Sequence, residues 1–313
     1  MKPLDIYRNQ LWTAWTTLAR PIIEEIPPSK AQLISRCSGS SGGTFDGGRT
    51  ATWLSGFQDG HNGHVGTWRA VRDARTGHTI HVVSDRSHGS LTSDLTYGLR
   101  LMAWMSQRPI VWYWWDQPWT REVPAYTDPG RDHVNGGWAI PGVLEVHVYR
   151  REEAQKVLLH ESIHALGLDV PTDSVEPVRV QFEAALGRTL WPHLGECFTE
   201  LFAEWLWSIA DAPSLAAAAD RWRYQLACSE RQAAAIWARI RDARAAEDTN
   251  VFAYYILKWV LMQHSMQAIL GPDHSVQSWF AWWQTARPRL ERLAAAVANT
   301  ETKSMELGMT CDA

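Results

Sequence analysis

Cysteine is scarce in this 313-residue chain, and the four, Cys37, Cys197, Cys228 and Cys311, share no short spacing. Such a pattern supplies neither a disulfide framework nor a thiolate zinc site, and a reducing compartment is the simpler expectation. Charge of one sign is also lacking. A net charge of −4 and a pI near 6.3 offer no basic face, which sequence-independent binding to nucleic acid or to a membrane surface requires. The longest apolar run, residues 251–262, is interrupted by Lys258 and too short to cross a bilayer. The opening residues, Met1-Lys2-Pro3-Leu4-Asp5-Ile6-Tyr7-Arg8, lack the basic-then-apolar order of a secretory signal. A soluble, cytoplasmic protein is therefore expected, acting on a protein, a peptide or a small molecule, with no nucleic-acid and no membrane partner. There is no repeat of fixed period and no long charged tail. Residues 37–49 are rich in glycine and serine but lack a Gly-Lys-Ser/Thr ending and a preceding strand, so they read as a surface loop and not as a phosphate cradle.

What is abundant is apolar and aromatic. With 45% hydrophobic residues the chain can bury a large core, as one big domain or as two lobes. It carries 19 tryptophans, and Trp112-Tyr113-Trp114-Trp115 with Trp119 invites comparison with a stacking platform for sugars or bases. A buried strand accounts for the same residues more economically, because aromatic runs suit strands and supply contact area to a core. Period and composition predict an amphipathic helix over 7–19, broken by Pro21, Pro27 and Pro28. They predict strands over 80–83, 110–115 and 143–149, and a helix over 91–106 on which Leu91, Leu95, Leu99, Met102 and Met105 recur. From residue 152 the pattern becomes all helical: 152–166, 178–186, 192–210, 214–227, 231–246, 251–270 and 275–298. The expected fold class is α+β: a mixed α/β N-terminal lobe with a small sheet over 1–170, and an all-helical lobe over 171–313, together forming one catalytic unit.

The chemistry concentrates at His160-Glu161-Ser162-Ile163-His164. Two histidines four apart on a helix project from one face, so both imidazoles reach a single ion at zinc-ligand distance. Zinc leaves a further position to water and lowers its pKa to about 7, and a carboxylate beside that water takes its proton. Glu161 is placed for that role. The flanks, Val157-Leu158-Leu159 and Ala165-Leu166-Gly167-Leu168, are apolar on nearly every side, as in a helix at a protein's centre. Gly167 offers the helix its C-terminus, and the chain leaves through Asp169 and Pro171. The structural alternative is a pair of core histidines satisfied by their neighbours.

This His-Glu-x-x-His segment resembles the metal helix of the zincin metallopeptidases. A metzincin would place a third histidine where this chain has Val170, which excludes that branch. Gly195-Glu196-Cys197-Phe198-Thr199-Glu200 resembles the third-ligand helix of the gluzincins, with Gly for Asn, Thr for Ser and Glu for Asp. The resemblance implies Glu196 as ligand and Glu200 as the carboxylate that orients His160, with the two roles exchangeable. Glu196, Glu200 and Glu204 would otherwise be a solvated acidic stripe. Apolar residues on both sides of the helix speak against that, because a buried carboxylate needs a partner. Cys197 is a further candidate ligand, although the family that uses a cysteine places it before the His-Glu motif.

Zincins lay the exposed edge of a strand beside the metal helix to pair with an extended peptide. Residues 143–149 are a candidate for this sheet. Upstream, His133 either lines a cleft or caps a turn. The segments His133-Val134-Asn135-Gly136, residues 146–153, Lys156 to Glu161 and Asn250 to Lys258 resemble a group of uncharacterised metallopeptidase-like proteins of large DNA viruses, over residues 80–270. That resemblance implies a zincin fold with no known substrate. It draws attention to Tyr254, Tyr255, Lys258 and His264, since gluzincins often stabilise an oxyanion with a tyrosine or histidine. The expectation is a metallopeptidase with one Zn2+ on His160, His164 and Glu196. Two others stand beside it: the same site acting on another amide or ester, and a zincin fold kept for binding, in which Glu161→Gln would change nothing measurable.

Overall fold

The computed structural model describes residues 3–38, 50, 53–54, 66–123, 129–169, 172–190, 192–240, 249–264, 276–298 and 305–306. Most of the predicted loop over 37–49, the helix tails over 241–246 and 265–270, Val170 and Pro171 lie outside them. In chain order the elements are α1 (Pro3–Thr17), β1 (Ile23–Ile26), α2 (Lys30–Ser38), β2 (Thr67–Asp73), β3 (Thr79–Ser84), α3 (His88–Met105), β4 (Val111–Asp116), β5 (Glu122–Val123), α4 (Arg131–Val134), β6 (Gly137–Ala139), β7 (Glu145–Val148) and α5 (Ala154–Ala165). They continue with α6 (Thr172–Leu186), α7 (Glu196–Ile209), α8 (Leu215–Ile240), a π-helical segment (Phe252–Leu257), α9 (Lys258–Met262), α10 (Val276–Ala298) and β8 (Met305–Glu306). The fold is α+β. The chain forms two compact units: a sheet unit of residues 14–120 and 135–168, and a helical unit of residues 1–13, 121–134 and 169–313. The boundary expected at residue 170 falls at Leu168 and Asp169, and two further segments, 1–13 and 121–134, group with the helices.

The sheet unit is organised by the order β1-β2-β3-β4-β7-β6. β3, β4 and β7 run parallel, and β1, β2 and β6 are antiparallel to their neighbours. The aromatic run of β4 is buried through its whole length, as the core reading expects. Strand alternation sends its residues to opposite faces. Trp112 and Trp114 stack on one face, where α3 crosses so closely that a β-carbon on Gly98 would lie 2.4 Å from Trp112 Cζ3. Tyr113 and Trp115 face the other way and pack with Leu33, Leu54, Val83 and Tyr149.

On that second face His81, Tyr113, His147 and Trp138 stand in register across β3, β4, β7 and β6. Their rings stack, His147 and Trp138 most closely, with centroids 3.7 Å apart and planes 4° from parallel. Burial holds both histidines below their usual pKa. For His147, with Arg36 adding to the effect, the value is pushed down to about 3. β7, within the candidate segment 143–149, belongs to the sheet and lies between β4 and β6, so it is an interior strand. Among the described residues β6 pairs on one side only, which makes it the edge.

In the helical unit, α7, α8, α9, α10 and the π-helical segment pack around Phe182, Phe252, Trp237 and Trp283, whose rings meet edge to face. The helices predicted separately over 214–227 and 231–246 are one continuous helix, α8, through the buried Ser229. Cys228 on it is disulfide-bonded, which runs against the reducing compartment expected from the scattered cysteines. Pairing between cysteines that meet only in the fold leaves no spacing signal. No helix among the described residues is long and apolar enough to cross a membrane.

Candidate functional site

α5 begins abruptly. Glu153 takes a left-handed conformation with φ of 56°, and the helix runs from Ala154 with Val157, Leu158, Leu159 and Ile163 buried. It ends as its glycine predicts. Gly167, at φ 67°, donates to the carbonyl of His164, and Leu168 donates to that of Ile163, the paired bonds of a Schellman end. Within the sheet unit the helix packs on α3, β7 and β6.

The turn of helix between these ends carries His160 and Glu161, both buried, and the half-buried His164. Their register brings the imidazoles together, with the two Nε2 atoms 3.1 Å apart. Two nitrogens each about 2.0–2.1 Å from a tetrahedral ion lie about 3.3 Å apart, so this bite fits a zinc ion. Glu161 follows on the next residue, its methylenes facing Gly137 of β6.

In the helical unit Glu196 opens α7, where a carboxylate is favoured by the helix dipole. Cys197 beside it is a free, buried thiol, and burial with the neighbouring Glu196 raises its pKa well above the ordinary range. A thiol kept protonated is a poor metal ligand. Glu200 and Glu204 are buried one and two turns further along. They meet a lysine: Lys258 Nζ, also fully buried, lies 3.6 Å from Glu200 Oε1 and 3.5 Å from Glu204 Oε2. The partner that buried acids require thus includes a cation that sequence reasoning had not paired with them. A signal for it existed, since a lysine inside an apolar helical run is costly to bury without an acid. Lys258 follows directly on the π-helical segment, a type of helix that often marks functional sites.

The remaining candidates also belong to the helical unit. His133 accepts a hydrogen bond at Nδ1 from the Gly130 N–H, at 3.0 Å, which makes it a turn-capping residue. Tyr254 is half-buried and Tyr255 buried in the π-helical segment. His264 stacks on Trp282 with centroids 4.6 Å apart, and burial lowers its pKa. Gly137, which carries no functional signal in the sequence, is the residue of β6 that lies against Glu161. Comparison of the chain with protein-family models, with curated proteins and with solved structures gives no match.

Proposed function

We propose that the protein is a zinc-dependent metallopeptidase of zincin type. The observation that carries this reading is the convergence of His160 and His164 Nε2, 3.1 Å apart on a buried helix, with Glu161 between them in sequence. Two imidazoles with one carboxylate are a donor set suited to zinc, and Glu196 is the carboxylate assigned to complete it. Zinc held there supplies Lewis acidity toward a carbonyl and toward water.

The chain's own residues do the rest. Glu161 takes the proton from the attacking water and returns it to the leaving nitrogen, a general-base role followed by a general-acid role. The strand β6, paired on one side among the described residues, runs past Glu161, and an extended peptide pairing with it lays a backbone carbonyl beside that carboxylate. Lys258, at ion-pair distance from Glu200 and Glu204, offsets the burial of these two acids of α7, one and two turns beyond Glu196.

Metal analysis of the purified protein tests the reading. About one zinc per chain is expected, lost in His160→Ala and kept in Glu161→Gln, with peptide hydrolysis abolished in both. Full zinc retention by His160→Ala would refute the site.

A further inference from the structure

Gly137 stands at the start of β6, opposite Val148 of β7. A β-carbon built on it would lie 2.6 Å from the carbonyl oxygen of His147, 2.8 Å from Cγ1 of Val157 and 2.9 Å from Cγ of Glu161. All three are closer than real β-carbons approach their neighbours. The glycine is required for space and not for a left-handed backbone, so any other residue must displace something. The identity of the three atoms decides what moves. The carbonyl belongs to the interior strand β7. β6 is tied to that strand by the Trp138–His147 stack and by the Tyr149 N–H, which donates to the Gly136 carbonyl at 3.0 Å. Val157 is a stiff, buried, β-branched side chain. The methylenes of Glu161 are the most yielding of the three.

We propose that Gly137 is a positioning residue for Glu161: because it has no side chain, the edge strand closes on the Glu161 methylenes and holds the carboxylate in one orientation beside His160 and His164. This rests on the peptidase reading above and extends it from the residues that react to one that aims them. A displacement of about 1 Å in a reacting group can cost on the order of a hundredfold in rate, so a single methyl group at residue 137 has leverage out of proportion to its size.

The test is a double-mutant cycle with kinetics. Gly137→Ala, Glu161→Ala and the double variant are unfolded in denaturant, without any requirement for metal. Contacting residues couple, so the effect of Gly137→Ala on the unfolding constant should be smaller in the Glu161→Ala background by about fivefold or more. Zinc-loaded Gly137→Ala keeps its ligands and should retain stoichiometric zinc. Its kcat on an internally quenched peptide library, referred to the folded, zinc-loaded fraction so that a smaller folded population does not enter, should fall about tenfold or more while KM stays within about twofold. Should Gly137→Ala alone not fold, the Val157→Ala background removes one of the three clashing atoms and carries the same comparison. Additive stabilities, or a kcat equal to that of the wild type, would overturn the proposal. Coupling in a zinc-loaded wild type that cleaves no peptide would overturn the peptidase reading instead, and Gly137's catalytic role with it, while leaving the packing contact in place.

Discussion

Lowering the pH from 7.5 to 5 should weaken the sheet unit through His147. In the unfolded chain this ring titrates near its ordinary value of 6.5, whereas in the fold burial, with Arg36 adding to it, pushes the value to about 3. Between those values the unfolded state binds a proton that the native state refuses. Stability is therefore complete above pH 6.5 and is lost as the pH falls toward 3. At pH 5 the loss is RT ln(1 + 10^1.5), about 2 kcal/mol, and it approaches about 5 kcal/mol below pH 3. His81 and His78, both lowered by burial, act in the same direction. The perturbation that isolates His147 is His147→Phe, which keeps a ring between Tyr113 and Trp138 and removes the titrating nitrogens. Urea unfolding followed by tryptophan fluorescence, with amide exchange in β4 and β7 assigning the transition to the sheet unit, measures the difference. His147→Phe should lose about 2 kcal/mol less than the wild type between the two pH values. Equal losses in both proteins would refute the reasoning.

Two further outcomes follow from packing. Lys258→Met leaves Glu200 and Glu204 buried together without their cation, and breaking a buried ion pair from one side costs about 3–5 kcal/mol. Adding Glu204→Gln should recover part of that loss in urea unfolding, and a double variant no more stable than the single would argue against the charge account. Gly98→Ala places a methyl group 2.4 Å from Trp112 Cζ3, and such overpacking should lower stability by about 1–3 kcal/mol, read as a drop in the urea midpoint.

Legibility from sequence followed the strength of periodicity. The helix expected over 91–106 is α3, and four of its five stripe residues, Leu91, Leu95, Leu99 and Met102, are buried. The strands over 80–83 and 110–115 are β3 and β4, because continuous apolar runs suit strands covered on both faces. β2 escaped notice. Its Arg69 reads as a solvated residue yet is largely buried, pairing with Glu25 and donating to Thr92, so the alternation that marks a strand is hidden by a charge satisfied elsewhere in the fold. β6 escaped for the opposite reason, since three residues beginning with glycine carry no period at all. The break expected between 227 and 231 does not occur. Ser229 packs inside, and Glu230 pairs with Arg289 of α10, so tertiary contacts override the local polarity that suggested an end.

The same contrast runs through the candidate site. His160, Glu161 and His164 could be singled out because their relation is set by one helical turn, and a helix needs no distant contact to bring positions i and i+4 together. Gly137 could not, and Lys258 stood out only through a resemblance that gave it no partner, because what each does depends on a group brought near by the fold: Glu161 lies 24 positions from Gly137 in the chain, and Glu200 lies 58 from Lys258. Both nevertheless carry a mark that sequence shows without explaining. Lys258 is a charge inside an apolar run, and Gly137 is a second glycine before an aromatic residue, Trp138, that leads into a strand. Each breaks the local rule that its neighbours obey, and such violations concentrate where a structure serves something besides stability.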